Sequence, residues 1–157
     1  MLLSELLNAK AVSPDLKATT KREAVVELVD LLESAHGLRS QGEILDRVLR
    51  REAMMSTGIG NGVAIPHGKA RAVDRMLAAC AISRPGVDFE SADGERAHIF
   101  ILLVSPETVG ATHVKVLANI SRLLKEESVR QTLREAPGPT ELLSVLKTAE
   151  SQFLTTG

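Results

Sequence analysis

His67 stands between a proline and a glycine, near the end of the stretch Ser56-Thr-Gly-Ile-Gly-Asn-Gly-Val-Ala-Ile-Pro-His-Gly-Lys69. Pro66 fixes its own φ and pushes Ile65 towards extended backbone, so the chain reaches His67 in a restricted direction. Gly68 leaves one side of the imidazole without a neighbouring side chain. Gly58, Gly60 and Gly62 read as a flexible loop with unpaired backbone N–H groups, open to the approach of another group. A neutral imidazole is a nucleophile near neutral pH, because a reference pKa of about 6.5 leaves most of it unprotonated. Attack on phosphorus would form a P–N bond from which the group can be passed on. That transfer has a loose transition state, so it asks a protein mainly for alignment and charge stabilisation. Taken alone, His67 could equally be a residue that fills a turn after proline.

His113 follows Thr112, a candidate N-cap, and so falls in the first turn of a helix. Orphan N–H groups and the helix dipole favour an anion there and disfavour an imidazolium. A neutral His113 can then donate one N–H to a phosphoryl oxygen, although Val116, Leu117 and Ile120 follow at core spacing and also fit a packing role. Arg51 ends a helix just before the glycine stretch and offers a planar fork of donors suited to phosphate oxygens. A solvated charge at a helix C-terminus is the plainer reading of Arg51. Ser56, Thr57 and Asn61 are candidate phosphoryl-binding residues through their hydroxyl or amide groups, or else cap the loop. His67, His113 and Glu107 match no familiar ligand spacing, so no cofactor is expected and a metal site at these three is kept only as a minor alternative. His36 beside Gly37 fits a helix end, His98 falls in no motif, and Cys80 in an apolar run reads as a small buried hydrophobe.

The elements that must position these groups are legible as patterns. Thr20 with Glu23, and Ser40 with Glu43, are capping-box pairs that open two helices. The first has Val25, Leu28, Val29 and Leu32 on one face and ends at Gly37; the second has Ile44, Leu45, Val48 and Leu49 and runs to Arg51. Strand patterns occupy Val63–Ile65, Leu77–Ile82 and Ile99–Val104, with turn signals at Arg84-Pro-Gly86 and Asp93-Gly94. The continuous apolar run Ile99–Val104 fits a strand covered on both faces. Thr112 opens a helix with Leu117, Ile120 and Leu124 inward, and two shorter helices follow around Val129–Arg134 and Glu141–Lys147. Helices flanking a group of short strands make a layered α/β domain.

The 157 residues suit one domain spanning the chain. With 44% hydrophobic and 25% charged residues, the composition is that of an ordered globule. A net charge of −1 gives no reason to expect nucleic acid as a partner. No apolar run is long enough to insert in a membrane, no signal-peptide pattern opens the chain, and one cysteine excludes an internal disulfide, so a cytoplasmic location is expected.

The glycine stretch with Pro-His-Gly resembles the active-site signature of type 2 enzyme IIA domains of the bacterial phosphotransferase system, the fructose, mannitol and nitrogen-regulatory group. Arg51-Glu52 before it, and Gly86-Val-Asp-Phe-Glu90, Asp93-Gly94, Ile99–Val104 and Thr112-His113-Val-Lys-Val-Leu117 after it, follow that family's order. The likeness runs from about Leu2 to Leu146. It implies a mixed sheet of about five strands with helices on both faces. It also implies phosphorylation of His67 at Nε2 by a histidine phosphocarrier protein, with His113 and Arg51 at the same site. The wording Ser-Thr-Gly-Ile-Gly-Asn-Gly is closest to the nitrogen-regulatory branch, and no IIB, IIC or carrier domain is fused within these residues. A phosphorylation-state-dependent regulator is the leading expectation. A sugar-specific IIA that hands the group to an enzyme IIB is the alternative, and a non-catalytic or metal-binding module on the same fold a third. The oligomeric state is not legible. Met55 departs from the pattern, standing where a small residue precedes Ser-Thr-Gly.

Overall fold

The computed structural model describes residues 1–154. Its spine is the antiparallel pair β5 (Leu77–Val87) and β6 (Ala97–Ser105), with Leu77 opposite Val104 and Ile82 opposite Ile99. β1 (Val12–Ser13) runs parallel to β5 at one edge. Across β6 lie β3 (Val63–Ala64) and β4 (His67–Lys69), both parallel to it, and β2 (Gly58–Gly60) closes that edge antiparallel to β3. The mixed sheet has six strands, one more than the resemblance implied.

The two-residue period of β6 divides the core. Phe100, Leu102 and Val104 face one layer, with Val25, Leu28 and Leu32 of α2 (Lys21–His36) and Ile44 and Val48 of α3 (Glu43–Met54). Ile99, Ile101 and Leu103 face the other. There they meet Val116 and Ile120 of α4 (Ala111–Leu123), Leu133 of α5 (Glu127–Glu135) and Leu146 of α6 (Pro139–Phe153). The short α1 (Leu3–Leu6) packs into this second layer. The run Ile99–Val104, apolar at every position, thus has both faces covered, as its composition predicts.

Several boundaries differ from the sequence expectation for identifiable reasons. Thr20 caps α2 by accepting the Glu23 N–H, and Gly37 ends it at φ +66°. At α3 the Ser40–Glu43 box does not form. The helix starts after Gly42, and the Glu43 carboxylate instead accepts the N–H groups of Arg71 (2.9 Å) and Ala72 (2.9 Å). Arg84-Pro-Gly86 is an irregularity inside a longer β5 rather than a turn between strands, while Asp93-Gly94 lies in the β5–β6 connection. The N-cap of α4 is Gly110, not Thr112, which leaves His113 in the first turn as expected.

The glycine stretch is the largest revision, since it is not a flexible loop. Asn61 and Gly62 have φ +58° and +76° and join β2 to β3 as a two-residue hairpin turn. Asn-Gly is the favoured pair for such a turn because both central residues need positive φ.

Candidate functional site

β4 sets the geometry. In register with β6, His67 lies opposite Leu103, Gly68 opposite Val104 and Lys69 opposite Ser105. His67 and Lys69 therefore project to the α4 side of the sheet, and Gly68 turns towards α3. A Cβ on Gly68 would stand 3.3 Å from both Cγ2 and the backbone N of Val48. Glycine at this position lets α3 lie against the strand, which brings Arg47 and Arg51 to the edge of the site. Gly68 serves the helix contact rather than clearing space beside the imidazole.

His67 Nδ1 lies 2.8 Å from the carbonyl oxygen of Ile65. A carbonyl only accepts, so Nδ1 carries the proton and the lone pair is on Nε2. The restricted approach through Ile65-Pro66 thus selects the tautomer as well as the direction. His113 is buried, and its ring centroid is 5.5 Å from that of His67. Its Nδ1 lies 2.6 Å from Oγ of the fully buried Ser105, the last residue of β6. Neither Nε2 has a hydrogen-bond partner among the described residues, and neither is a sealed polar atom, so both open to the same concavity.

That concavity, about 410 Å³, is lined by His67, His113, Arg51, Lys69, Arg47 and Met54, with Arg50 and Gly68. Arg51 donates through Nη1 to the Met55 carbonyl (2.9 Å), which anchors one arm of the guanidinium. Arg47 pairs with Glu107 (2.8 Å), whose other oxygen faces Arg71 at 3.5 Å. Glu107 is thus an ion-pair partner on the rim. Lys69 has no carboxylate partner among the described residues. Among the described residues no carboxylate lines the concavity itself.

This environment keeps both rings neutral. Burial lowers the His67 pKa, and the Arg51 charge lowers it further, against the Ile65 carbonyl and Glu52, which pull the other way. His113 is pushed down to about 4, by burial first and then by the positive charges of a protonated His67 and of Lys69. A neutral His67 keeps its nucleophilic lone pair, and a neutral His113 keeps one N–H donor. Around them, Arg51 and Lys69 supply charge for an anion.

Ser56, Thr57 and Asn61 are engaged elsewhere. Ser56 donates to the Phe89 carbonyl (2.7 Å). The Thr57 N–H (2.8 Å) and hydroxyl both donate to buried Glu52, which also pairs with Lys21 at 3.1 Å. Asn61 takes the Asp93 carboxylate through its backbone N–H (3.0 Å) and lines a different concavity with Arg84 and Arg130. The hairpin N–H groups expected to be free are thus partly consumed by neighbouring side chains. Met54 is 80% exposed on the rim, whereas Met55, at 72%, faces a separate concavity beside Lys21 and Glu52. His36 Nε2 bonds the Ala78 carbonyl, and His98 Nδ1 that of Ser83. Burial pushes Cys80 up to about 12 and keeps it a thiol.

Ser105 and Lys69 join the candidate site without a motif to mark them. A polar residue closing an otherwise apolar central strand, and a lysine two positions after His67 on a period-two strand, were the available signals. Glu52 stands out in the sequence only as part of a dipeptide, and its burial follows from the turn that brings Thr57 back over α3.

Comparison with known proteins gives a consistent result. The family model for the phosphoenolpyruvate-dependent sugar phosphotransferase system, EIIA 2, matches residues 5–149. A nitrogen regulatory protein of Bradyrhizobium diazoefficiens is 35% identical over 147 residues, covering 93% of this chain and 95% of that protein. A fructose-specific EIIABC component of Bacillus subtilis is 33% identical over 146 residues, but the chain spans only 23% of its length. The crystal structure of the nitrogen regulatory protein IIA-Ntr from Neisseria meningitidis superposes with a TM-score of 0.81 at 26% identity. That match covers 91% of this chain and 97% of that one.

Proposed function

This chain belongs to the type 2 enzyme IIA family of the phosphotransferase system, as a phosphoryl-carrier component, and from that premise we propose that His67 Nε2 is the atom that carries the phosphoryl group. The observation that carries this reading is the bond from Nδ1 to the Ile65 carbonyl, which leaves the Nε2 lone pair facing a concavity lined with cations. The donor is a histidine phosphocarrier protein. As the His67 N–P bond forms, the donor's N–P bond breaks and its imidazole leaves. The positive charge that develops on the His67 ring is shared with the Ile65 carbonyl through Nδ1–H. His113 Nε2–H, Arg51 and Lys69 hold the equatorial oxygens, so the work is positioning and charge stabilisation.

The phosphorylation state then serves as a signal in a regulatory role of the nitrogen type, supported by 35% identity along nearly the whole of a nitrogen regulatory protein. The other reading, transfer to an enzyme IIB in sugar uptake, is favoured by the fructose-specific relative. No described helix is long and apolar enough to cross a membrane.

The test is incubation with phosphoenolpyruvate, enzyme I and a histidine phosphocarrier, with intact mass as readout. A single acid-labile, alkali-stable phosphoryl group, absent in His67→Ala, is expected. Undiminished labelling of that variant would remove His67 from the role. Adding a cognate IIB then separates the two readings: rapid, complete discharge favours sugar uptake, and retention of the group favours regulation.

A further inference from the structure

We propose that Ser105 is a positioning residue for phosphoryl transfer: its hydroxyl donates to His113 Nδ1 and so holds the proton of that ring on Nε2, facing His67. The inference rests on the reading of His67 as the phosphoryl acceptor and adds to it the group that prepares its neighbour.

Ser105 Oγ has one hydrogen-bond partner among the described side chains and backbone, His113 Nδ1 at 2.6 Å. The residue has no exposed surface. Two arrangements share that distance. If Nδ1 carried the proton, it would donate to Oγ, and the serine hydroxyl would have no acceptor inside the protein. A buried donor without an acceptor is costly. If instead the hydroxyl donates, Nδ1 accepts, both groups are satisfied, and the imidazole proton is on Nε2. The second arrangement leaves nothing unpaired except the Nε2–H, which opens to the concavity beside His67.

The two imidazoles are thereby fixed in complementary states by different partners. An acceptor-only carbonyl keeps the proton on Nδ1 of His67 and bares Nε2; a hydroxyl donor does the reverse at His113. One ring presents a lone pair and the other a donor. A free histidine exchanges between tautomers, and the wrong one at His113 would set two lone pairs against each other and offer nothing to a phosphoryl oxygen. The low pKa of His113 is consistent with this, since a neutral ring has a single N–H and its location matters.

The fold explains why serine can do this. β6 is apolar and buried from Ile99 to Val104, and its alternation turns residue 105 to the α4 side, where His113 lies in the first helical turn. Lys69 is its register partner on β4, so strand pairing carries the hydroxyl and the cation to the same side of the site together.

Two measurements test the proposal. In the unphosphorylated protein, the ring ¹⁵N shifts of His113 should place Nδ1 in the pyridine-type range and Nε2 in the pyrrole-type range. Ser105→Ala should move both towards averaged values. This readout needs no phosphoryl donor, so it stands even where the acceptor role of His67 fails. The second is a cycle of phosphoryl-transfer rates. Ser105→Ala alone should slow transfer by about five- to tenfold, the worth of one ordinary hydrogen bond. In a His113→Ala background the same substitution should have no further effect, because Ser105 acts through that ring. Unchanged ¹⁵N shifts in Ser105→Ala, or equal losses in both backgrounds, would overturn the proposal.

Discussion

Residues 56–62 and 63–69 are adjacent halves of one motif, and they use polar groups in opposite ways. In the first half, Ser56 and Thr57 use their side chains, and Thr57, Gly58 and Asn61 their backbone N–H groups, on neighbouring protein atoms. In the second half each important side chain keeps one polar atom in reserve. His67 gives Nδ1 to the backbone and keeps Nε2; Lys69 keeps its ammonium free of carboxylates among the described residues. Glycine content suggests that the first half is the reactive, open part, whereas its saturation makes it the frame. What identifies a site here is the unspent atom on a fixed side chain, not the flexible backbone beside it.

The comparison predicts a division of effects, with losses of transfer from the second half and losses of stability from the first. His67→Ala should abolish phosphorylation while leaving the hairpin and its melting behaviour intact. Residual labelling at wild-type stoichiometry would break the division at its strongest point. His113→Ala should slow transfer by about 10²- to 10³-fold, as expected for removing one aimed donor. It should also cost about 1–3 kcal/mol of stability, because the ring is buried and the Ser105 hydroxyl is left unpaired. That cost is more than a half-exposed ring would imply. Stopped-flow transfer combined with urea unfolding separates the two.

On the frame side, Glu52→Ala should be the damaging change. Glu52 is 5% exposed and holds the Thr57 N–H and hydroxyl and the Lys21 ammonium. Its loss leaves a buried amide unpaired and Lys21 with only the exposed Glu90, for about 2–4 kcal/mol in unfolding free energy. The folded fraction should still accept phosphoryl at a rate within a few-fold of wild type. A stable Glu52→Ala protein with abolished transfer would reverse the roles given to the two halves.

How far the sequence foretold this differs between residues for physical reasons. Helices and central strands were legible because apolar periodicity and caps report burial directly: Thr20, Gly37 and Ile99–Val104 stand where their patterns predict. His67, His113 and Arg51 do come together. The hairpin is harder to read because glycine permits both a mobile loop and a tight turn, and only the Asn61-Gly62 pair decides between them. The fates of Ser56 and Thr57 depend on Phe89 and Glu52, which no local pattern links to them. Glu43 shows the same limit: two amides near residue 71 outcompete a box that its spacing allows.

The neutral histidine pair also gives stability a pH dependence. Both folded-state pKa values are below the ordinary value, so the unfolded chain binds more protons as the medium is acidified. The neutral rings' contribution is complete above about pH 6.5 and is lost progressively as pH falls towards the His113 value of about 4. From pH 7 to 5.5 the loss from His113 should be roughly 1 kcal/mol. Urea midpoints for wild type and His113→Ala check this: the variant's midpoint should fall less over that interval. Parallel declines would place the acid sensitivity outside the site.

The smallest effect expected is the sharpest test of the frame. Asn61 is at the hairpin tip, its N–H is satisfied by Asp93, and it lines a concavity separate from that of His67. Alanine there would confound the result, since its φ of +58° strains an ordinary residue. Asn61→Gly removes the amide side chain and keeps both the conformation and the backbone N–H. Transfer should stay within about twofold of wild type, because the side chain makes no bond that positions His67, and stability should change by only a few tenths of a kcal/mol. A tenfold loss of transfer at unchanged stability would mean that the Asn61 amide reaches the transferring group after all, and the boundary between frame and site would then have to move to include the hairpin tip.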